Sequence, residues 1–178
     1  MKCLVSGATG FIGRELCRQL DANAMSYIGL SRKGGVLPCG QASVATDLDD
    51  HTVPQSLFDG VEVVFHLAAI AHQSAQPSQY EAVNHLATVD LAAAAAAAGV
   101  KTFIFLSSVK AMGASMRLTS RAEDDCFAPG DAYGRSKLQA ELDLQGAYSE
   151  ADMSVIILRP ALVYGVGAAG NLALLARA

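Results

Sequence analysis

Strand-length apolar runs alternate with segments of helical period along almost the whole sequence. The apolar runs lie at residues 2–6, 26–30, 42–45, 61–67, 102–106 and 155–158, and the helical patterns at 11–20, 78–98 and 131–148. Parallel strands that are buried on both faces are apolar throughout, and the connecting helices cover those faces. The pattern therefore predicts an α/β fold with a doubly wound parallel sheet, in which the glycine-rich stretch 33–40 is a loop.

Composition excludes several classes of protein. With 178 residues, of which 52% are hydrophobic, the chain is long enough for one domain and is not disordered. Its 13 Lys+Arg and 17 Asp+Glu give a net charge of −4, which argues against a nucleic-acid partner. No apolar run has the length of a membrane span, no signal peptide precedes the first strand, and the four cysteines lack metal-ligand spacing. We predict a cytoplasmic protein with free thiols, no membrane association and no metal.

Three glycines follow the first strand at intervals of three residues. Gly7 permits a tight turn, Gly10 lets the backbone approach a pyrophosphate, and Gly13 allows close contact between helix and strand. Unpaired N–H groups at the start of the next helix then face the anion. The spacing is G-x-x-G-x-x-G rather than G-x-G-x-x-G. Its place between an N-terminal strand and a helix nevertheless predicts a dinucleotide site in a Rossmann-type fold.

The end of the second strand bears on which dinucleotide binds. An acidic residue about 20 residues beyond the glycines would hold the ribose of NAD, whereas this strand ends in Ser31, Arg32 and Lys33. The planar guanidinium of Arg32 suits a 2′-phosphate, so NADP(H) is slightly favoured over NAD(H). The alternative is that both cations are solvated loop residues. Asp47, after the third strand, is predicted to meet the adenine edge, with a plain turn aspartate as the alternative.

Tyr133 and Lys137 stand four residues apart near the start of the helix 131–148, which places them one turn apart on one face. A tyrosine with a pKa near 10 is a poor acid or base at neutral pH, and a nearby cation favours its phenolate. Ser107 and Ser108 follow the fifth strand at the end where α/β sheets bind ligands, so a hydroxyl there can bond the oxygen that Tyr133 protonates. An exposed helix pair and a strand-end cap are the alternatives.

Together these motifs resemble an extended short-chain dehydrogenase/reductase of the NAD-dependent epimerase/dehydratase family, which acts on nucleotide sugars. The matching segments span nearly the whole chain and lie at 7–13, 47–48, 66–69, 84, 107–108, 133–137 and 158–165. Segments 66–72 and 159–165 look most like bacterial polysaccharide-cluster members that are UDP-N-acetylhexosamine 4-epimerases or UDP-4-keto-6-deoxy-sugar 4-reductases. The chain departs from the family pattern at Met112, His85, Ala87 and Val166.

The resemblance implies Ser108 as the catalytic serine, Tyr133 as the acid/base and Lys137 as its partner. It also implies a homodimer that pairs through the helices 78–98 and 131–148. The cofactor contacts predicted from the motifs and the resemblance together are Gly7, Thr9, Gly10, Phe11, Ile12, Gly13, Ser31, Arg32, Asp47, Leu48, Leu67, Ala68, Ala69, Asn84, Tyr133, Lys137 and Pro160.

We therefore predict an NAD(P)-dependent enzyme that works at C4 of a nucleotide sugar, with the choice between 4-epimerase and 4-ketoreductase open. The alternative is an NADP(H)-binding sensor, or an inactive cofactor-domain fragment, without turnover. The sequence ends in an apolar helical pattern at 172–178 that has no capping residue. We expect residues 1–178 to form one dinucleotide-binding domain, with a substrate region that begins near 165 and is mostly missing.

The alanine run 92–98 leaves two interpretations open. Its small side chains permit close packing of one helix on another. The same residues are strong helix formers that can lie flat on a sheet. The sequence favours neither.

Overall fold

The computed structural model describes residues 1–48, 53–71, 75–114, 122, 127–149 and 152–165. The strands are β1 (Lys2–Ser6), β2 (Ser26–Ser31), β3 (Gly35–Val36), β4 (Ala42–Ala45), β5 (Val63–His66), β6 (Thr102–Leu106) and β7 (Ser154–Leu158). The helices are α1 (Phe11–Ala22), α2 (Pro77–Tyr80), a π-helical turn (Glu81–Leu86), α3 (Ala87–Ala97) and α4 (Ala132–Tyr148), with short 3₁₀ helices at Gln55–Phe58 and Val109–Met112.

The strands form one sheet in the order β3-β4-β2-β1-β5-β6-β7. Every neighbouring pair is parallel except β3 with β4, which is antiparallel at the edge. The predicted doubly wound, Rossmann-type sheet is confirmed. Because the strand order reverses beside β1, the carboxyl ends of β1, β5 and β6 open into the crevice where this fold binds ligands.

Helices cover the sheet on both faces. On one face, α3 and α4 bury Leu91 and Leu144 against Phe103 of β6. On the other face, α1 buries Cys17 and Leu20 against the central strand β1. In α3, Ala92 and Ala95 are fully buried in the same core as Phe103, so this part of the alanine run packs into the core.

The structure differs from the sequence prediction in two elements. The helix predicted at 78–98 is interrupted by the π-helical turn, which buries two adjacent polar side chains, Asn84 and His85. Apolar periodicity carries no signal for such a turn. The stretch predicted as a loop at 33–40 contains β3, which pairs back on β4 because Gly34 adopts a φ of +74°.

No helix among the described residues is both long enough and apolar enough to span a bilayer. In the same ranges, no three His, Cys, Asp or Glu side chains come together as metal ligands. Cys3 and Cys17 are buried free thiols and Cys39 is an exposed one. Cys126 and most of the predicted substrate region beyond 165 lie outside the described residues.

Candidate active site

Two adjoining cavities lie at the carboxyl edge of the sheet. The larger has a volume of about 450 Å³ and the smaller about 280 Å³. Gly7, Gly10, Leu67 and Ala69 line both, so the cavities lie side by side along the strand ends. The predicted site residues that line one or both are Gly7, Thr9, Gly10, Phe11, Ile12, Gly13, Ser31, Arg32, Leu48, Leu67, Ala68, Ala69, Ser108, Tyr133, Lys137 and Pro160.

The glycine loop has no room for side chains. Its backbone can therefore come close to the pyrophosphate of a dinucleotide. Gly7 has a φ of +69°, and a Cβ on it would lie 2.8 Å from the backbone nitrogen of Ala68. A Cβ on Gly13 would lie 2.1 Å from the carbonyl oxygen of Gly7. No side chain caps the first turn of α1, and that turn contains no acidic residue. Its N–H groups and the positive end of the helix dipole therefore remain available for a pyrophosphate.

A buried chain of neutral hydrogen bonds joins β1 to β5 beneath this loop. The Ser6 hydroxyl accepts the backbone N–H groups of the two residues after His66, and lies 2.7 Å from Nδ1 of His66. Nε2 of His66 lies 2.8 Å from the Thr88 hydroxyl, which donates its own proton to the Asn84 carbonyl. That donation leaves Thr88 an acceptor, so His66 carries its proton on Nε2 and accepts from Ser6 at Nδ1.

The environment of His66 keeps its ring neutral. The ring is fully buried and stacks on Phe105. Burial, reinforced by the charge of Lys137, lowers the pKa of His66 to about 3. His66 is therefore a neutral, packed residue of β5, which lies between β1 and β6.

The smaller cavity adjoins the end of β2. Ser31 and Arg32 both line it, and Arg32 is exposed. The Ser31 hydroxyl lies 2.7 Å from that of Ser43, which donates to the Gly35 carbonyl, so Ser31 donates to Ser43. Because the Ser31 proton is used in this bond to β4, the Ser31 oxygen can only accept a hydrogen bond, for example from a ribose hydroxyl. Among the residues predicted for a 2′-phosphate, Arg32 is therefore the charged donor at this cavity.

Two predicted cofactor residues do not line either cavity. Asp47 is exposed, although Leu48 beside it lines the smaller cavity. The side chain of Asn84 is fully buried: its oxygen accepts the Ile70 N–H at 2.8 Å, and its amide group donates to the Ile70 carbonyl and the Ser136 hydroxyl. Asn84 thus connects the segment that follows β5 in the sequence with α4. Direct contact of either residue with a cofactor stays a prediction.

The three predicted catalytic residues meet at the larger cavity from two elements. Ser108 follows β6 and caps the 3₁₀ helix there, where its hydroxyl accepts the Lys110 N–H at 3.2 Å. Tyr133 and Lys137 come from the first two turns of α4. Asp131 is the N-cap of this helix, and its carboxylate accepts the Gly134 N–H at 2.6 Å. The cavity joins all three to the glycine loop.

Lys137 is buried at the end of β6. Its ammonium donates to the Leu106 carbonyl at 3.0 Å and lies 4.6 Å from the ring centroid of Phe105. Burial lowers the pKa of Lys137 to about 7, and the negative charge of Glu141 partly offsets that effect. Burial therefore makes the charged form of Lys137 less favourable than that of an exposed lysine.

Tyr133 is faced by a second lysine that sequence reasoning did not single out. Burial raises the pKa of Tyr133, while a hydrogen bond from Ser108 and the charge of Lys110 lower it. The Lys110 ammonium lies 5.7 Å from the centroid of the Tyr133 ring. The sequence predicted Lys137 as the cation beside the phenol, whereas the cation whose charge acts on Tyr133 in the structure is Lys110.

A buried ionic cluster behind the catalytic residues was also missed from the sequence. The Glu141 carboxylate accepts hydrogen bonds from the Ser107 hydroxyl and from the Arg159 guanidinium, whose Nη2 lies 2.6 Å away. Glu141 is 1% exposed. It follows Lys137 by four residues, but a mid-helix glutamate is usually exposed, so this spacing alone did not reveal it. The cluster joins α4 to the ends of β6 and β7.

Comparison with known proteins identifies the family. The sequence model described as the NAD dependent epimerase/dehydratase family matches residues 3–177. The chain belongs to this family. The predicted resemblance is thereby confirmed, since the match covers both the glycine loop and the helix that carries Tyr133.

Relatives within and beyond the sugar epimerases are similar to this chain. A UDP-glucose 4-epimerase of Vibrio cholerae is 36% identical over 98% of the chain and 55% of its own length. The N-acetyl-alpha-D-glucosaminyl-diphospho-ditrans,octacis-undecaprenol 4-epimerase of Escherichia coli O157:H7 is 31% identical over 94% of the chain and 50% of its own length. A 2-alkyl-3-oxoalkanoate reductase of Stenotrophomonas maltophilia is 28% identical over 94% of the chain and 52% of its own length.

Solved structures agree with this placement. The UDP-glucose 4-epimerase of Thermotoga maritima, with UDP-glucose, matches with a TM-score of 0.84 and 28% identity over 93% of this chain and 57% of its own. The UDP-glucuronic acid 4-epimerase of Bacillus cereus, in complex with NAD, matches with a TM-score of 0.80 and 27% identity over 93% and 58%. The chain thus spans about half the length of the relatives it matches.

Proposed function

We propose that the protein carrying this chain is an NAD(P)-dependent enzyme that oxidises or reduces C4 of a nucleotide sugar, of the UDP-N-acetylhexosamine or UDP-4-keto-6-deoxy-sugar class. The observation that carries the proposal is the cavity that joins Ser108, Tyr133 and Lys137 to the glycine loop. This crevice combines a loop suited to a pyrophosphate with two hydroxyl groups and an amine, which fits a redox step on an alcohol carbon. Relatives named as nucleotide-sugar 4-epimerases support the substrate class.

Each residue of the triad has a distinct task in the proposed step. A dinucleotide held at the glycine loop would supply or accept the hydride at C4 of the sugar. As the C4 alcohol becomes a ketone, Tyr133 takes the hydroxyl proton, and it returns that proton when the ketone is reduced. Ser108 hydrogen-bonds the same oxygen and polarises it. Lys137, when protonated, would place positive charge beneath the site and hold the hydroxyls of the nicotinamide ribose.

The variant Tyr133→Phe tests this assignment because it removes the phenolic proton and keeps the ring. The full-length protein is incubated with UDP-glucose or UDP-N-acetylglucosamine and NAD⁺ for epimerisation, and with a UDP-4-keto-6-deoxy sugar and NADPH for reduction. We expect Tyr133→Phe to lower turnover by at least about 100-fold while dinucleotide affinity changes little. Tight dinucleotide binding without turnover by the wild type on any of these sugars would contradict the proposal and favour the sensor.

We also propose a homodimer that pairs through the helices on the α3–α4 side of the sheet. Leu86 of the π-helical turn and Leu142 of α4 are 43% and 51% exposed on neighbouring helices. Apolar side chains of this size are buried when two such helix pairs meet. We expect a dimer by light scattering for the wild type and a monomer for Leu142→Arg, whereas a wild-type monomer at high concentration would contradict the proposal. A cytoplasmic location stays a prediction.

A further inference from the structure

Lys110 is an exposed lysine two residues after Ser108, in the 3₁₀ helix that follows β6. Its ammonium forms an ion pair with the Asp131 carboxylate at 3.0 Å and lies 5.7 Å from the ring centroid of Tyr133. These are two separate contacts, and both partners of Lys110 lie at the start of α4. The proposed function assigns a role to Lys137 but none to Lys110.

The backbone holds this lysine close to α4. Its N–H donates to the Ser108 hydroxyl at 3.2 Å. Its carbonyl oxygen would lie 2.6 Å from a Cβ on Gly134, so the 3₁₀ helix and α4 are in contact at a position that admits only glycine. Asp131 is equally fixed, because its other carboxylate oxygen accepts the Gly134 N–H at 2.6 Å.

Several groups face Tyr133 from the elements packed around it. Ser108 and Lys110 come from the segment after β6, and Asp131 precedes Tyr133 on its own helix. Tyr80 of α2 packs edge-on with a ring-centroid distance of 6.0 Å. Burial is the largest influence and raises the pKa of Tyr133; Ser108 and Lys110 lower it, and Asp131 and Tyr80 raise it. Lys110 and Asp131 thus act on the phenol in opposite directions.

We propose that Lys110 and Asp131 form an electrostatic pair that sets how readily Tyr133 gives up its proton: Lys110 stabilises the phenolate, and Asp131 moderates that effect by pairing with Lys110. Both act through Tyr133 and are positioning residues. The catalytic meaning of the pair rests on the proposed function, whereas its effect on Tyr133 does not.

The experiment follows Tyr133 by NMR in the full-length protein labelled with ¹³Cζ-tyrosine, its resonance being assigned by its loss in Tyr133→Phe. Lys110→Gln is expected to raise the titration midpoint of Tyr133 by about 0.5–1 pH unit, from the Coulomb interaction of unit charges about 6 Å apart at an effective dielectric of about 40–80. Asp131→Asn keeps an oxygen for the Gly134 N–H and is expected to lower the midpoint. Lys110→Arg restores the charge and should return it towards the wild-type value.

Lys101→Gln is the matched control, because Lys101 is an exposed lysine at the opposite end of β6. Its midpoint should equal that of the wild type. Opposite shifts in Lys110→Gln and Asp131→Asn support the pair, since a loosened helix would move both variants the same way. Shifts of the same sign, or none above about 0.2 unit, overturn it.

Turnover separates this proposal from the proposed function. If the wild type turns over a nucleotide sugar, the limb of its pH–rate profile that reports Tyr133 should move with the NMR midpoint in each variant, and a limb that stays fixed would overturn the catalytic part of the proposal. If no sugar is turned over, the proposed function fails, and the NMR titration still decides whether Lys110 and Asp131 act on Tyr133.

Discussion

The two halves of the candidate site are built from different material. The glycine half comprises residues 6–13, 31–32 and 66–69. Apart from the exposed Arg32, it relies on backbone groups, hydroxyls and a neutral histidine. The charged half comprises residues 107–110, 131–141 and 159, and it buries Lys137 and Glu141. A helix N-terminus that is left uncapped suits a bound anion, whereas fixed charges suit a place where a proton moves. The comparison predicts that the halves respond differently to the same kind of change.

The largest effect is expected from Glu141→Gln in the charged half. The change leaves Arg159 and Lys137 without the carboxylate that compensates them, and breaking a buried ion pair costs about 3–5 kcal/mol of unfolding free energy. Urea denaturation measures that loss. Glu15→Gln is the control, because Glu15 forms an exposed pair with Arg18 in α1 and its removal should not change stability measurably. Equal losses in the two variants would show that the buried cluster contributes nothing special.

In the glycine half, we expect one added methyl group to disrupt the loop that accepts the dinucleotide. In Gly13→Ala the new Cβ meets the Gly7 carbonyl oxygen at 2.1 Å, and the loop must shift at a cost of about 1–3 kcal/mol. We also expect dinucleotide binding to weaken at least about tenfold, as measured by calorimetry. Gly146→Ala is the matched control in α4, where nothing lies within 4 Å of the added Cβ, and it should stabilise the protein slightly. Unchanged dinucleotide binding in Gly13→Ala would contradict the role of this loop.

The contrast between the halves explains how much the sequence could predict. Glycine spacing and strand alternation are local signals, so residue patterns alone suffice to place the sheet, the loop and Tyr133 with Lys137. The Glu141–Arg159 cluster depends on residues 18 positions apart that meet only after β7 joins the sheet. The π-helical turn and the approach of Lys110 to Tyr133 are likewise tertiary, and residue patterns carry no signal for them.

Among the described residues, the buried histidines His66 and His85 have pKa values that are shifted in opposite directions. Burial alone would lower the pKa of His85, but hydrogen bonds with Asp143 and Glu81 outweigh it and raise the pKa. The stability that His85 contributes is therefore complete below about pH 6.5 and is lost as the pH rises through the folded-state value. His66, with its pKa lowered to about 3, does the reverse, and its contribution is lost as the pH falls below about 6.5.

Melting curves test the prediction for His85, and NMR tests that for His66. Both carboxylates around His85 are half-exposed, so their effect on stability is small. We expect the melting temperature of the wild type to be only about 2–4 °C above that of His85→Gln at pH 6, and the difference to shrink by pH 9. The ring nitrogens of His66 should show a neutral imidazole protonated on Nε2 down to pH 5. A difference between wild type and His85→Gln that grows with pH, or a charged His66 at pH 6, would reverse the assignment.

The smallest effect concerns the choice of cofactor in the glycine half. Arg32→Ala should weaken NADPH binding about tenfold, or roughly 1.4 kcal/mol, and leave NADH binding within about twofold. Lys33→Ala is the neighbouring control, since Lys33 does not line the smaller cavity and should matter less. Equal affinity of the wild type for NADPH and NADH would contradict the NADP preference predicted from Arg32 and favour an NAD-dependent epimerase.

The central claim is that the two halves form one continuous site. The most direct measurement is the ¹³Cζ resonance of Tyr133 in the full-length protein during titration with NAD⁺ and, separately, with AMP. Because AMP reaches only the adenosine end, we expect NAD⁺ to shift the Tyr133 resonance in proportion to binding and AMP to leave it in place. Saturable binding of NAD⁺ that does not move Tyr133 would contradict the claim.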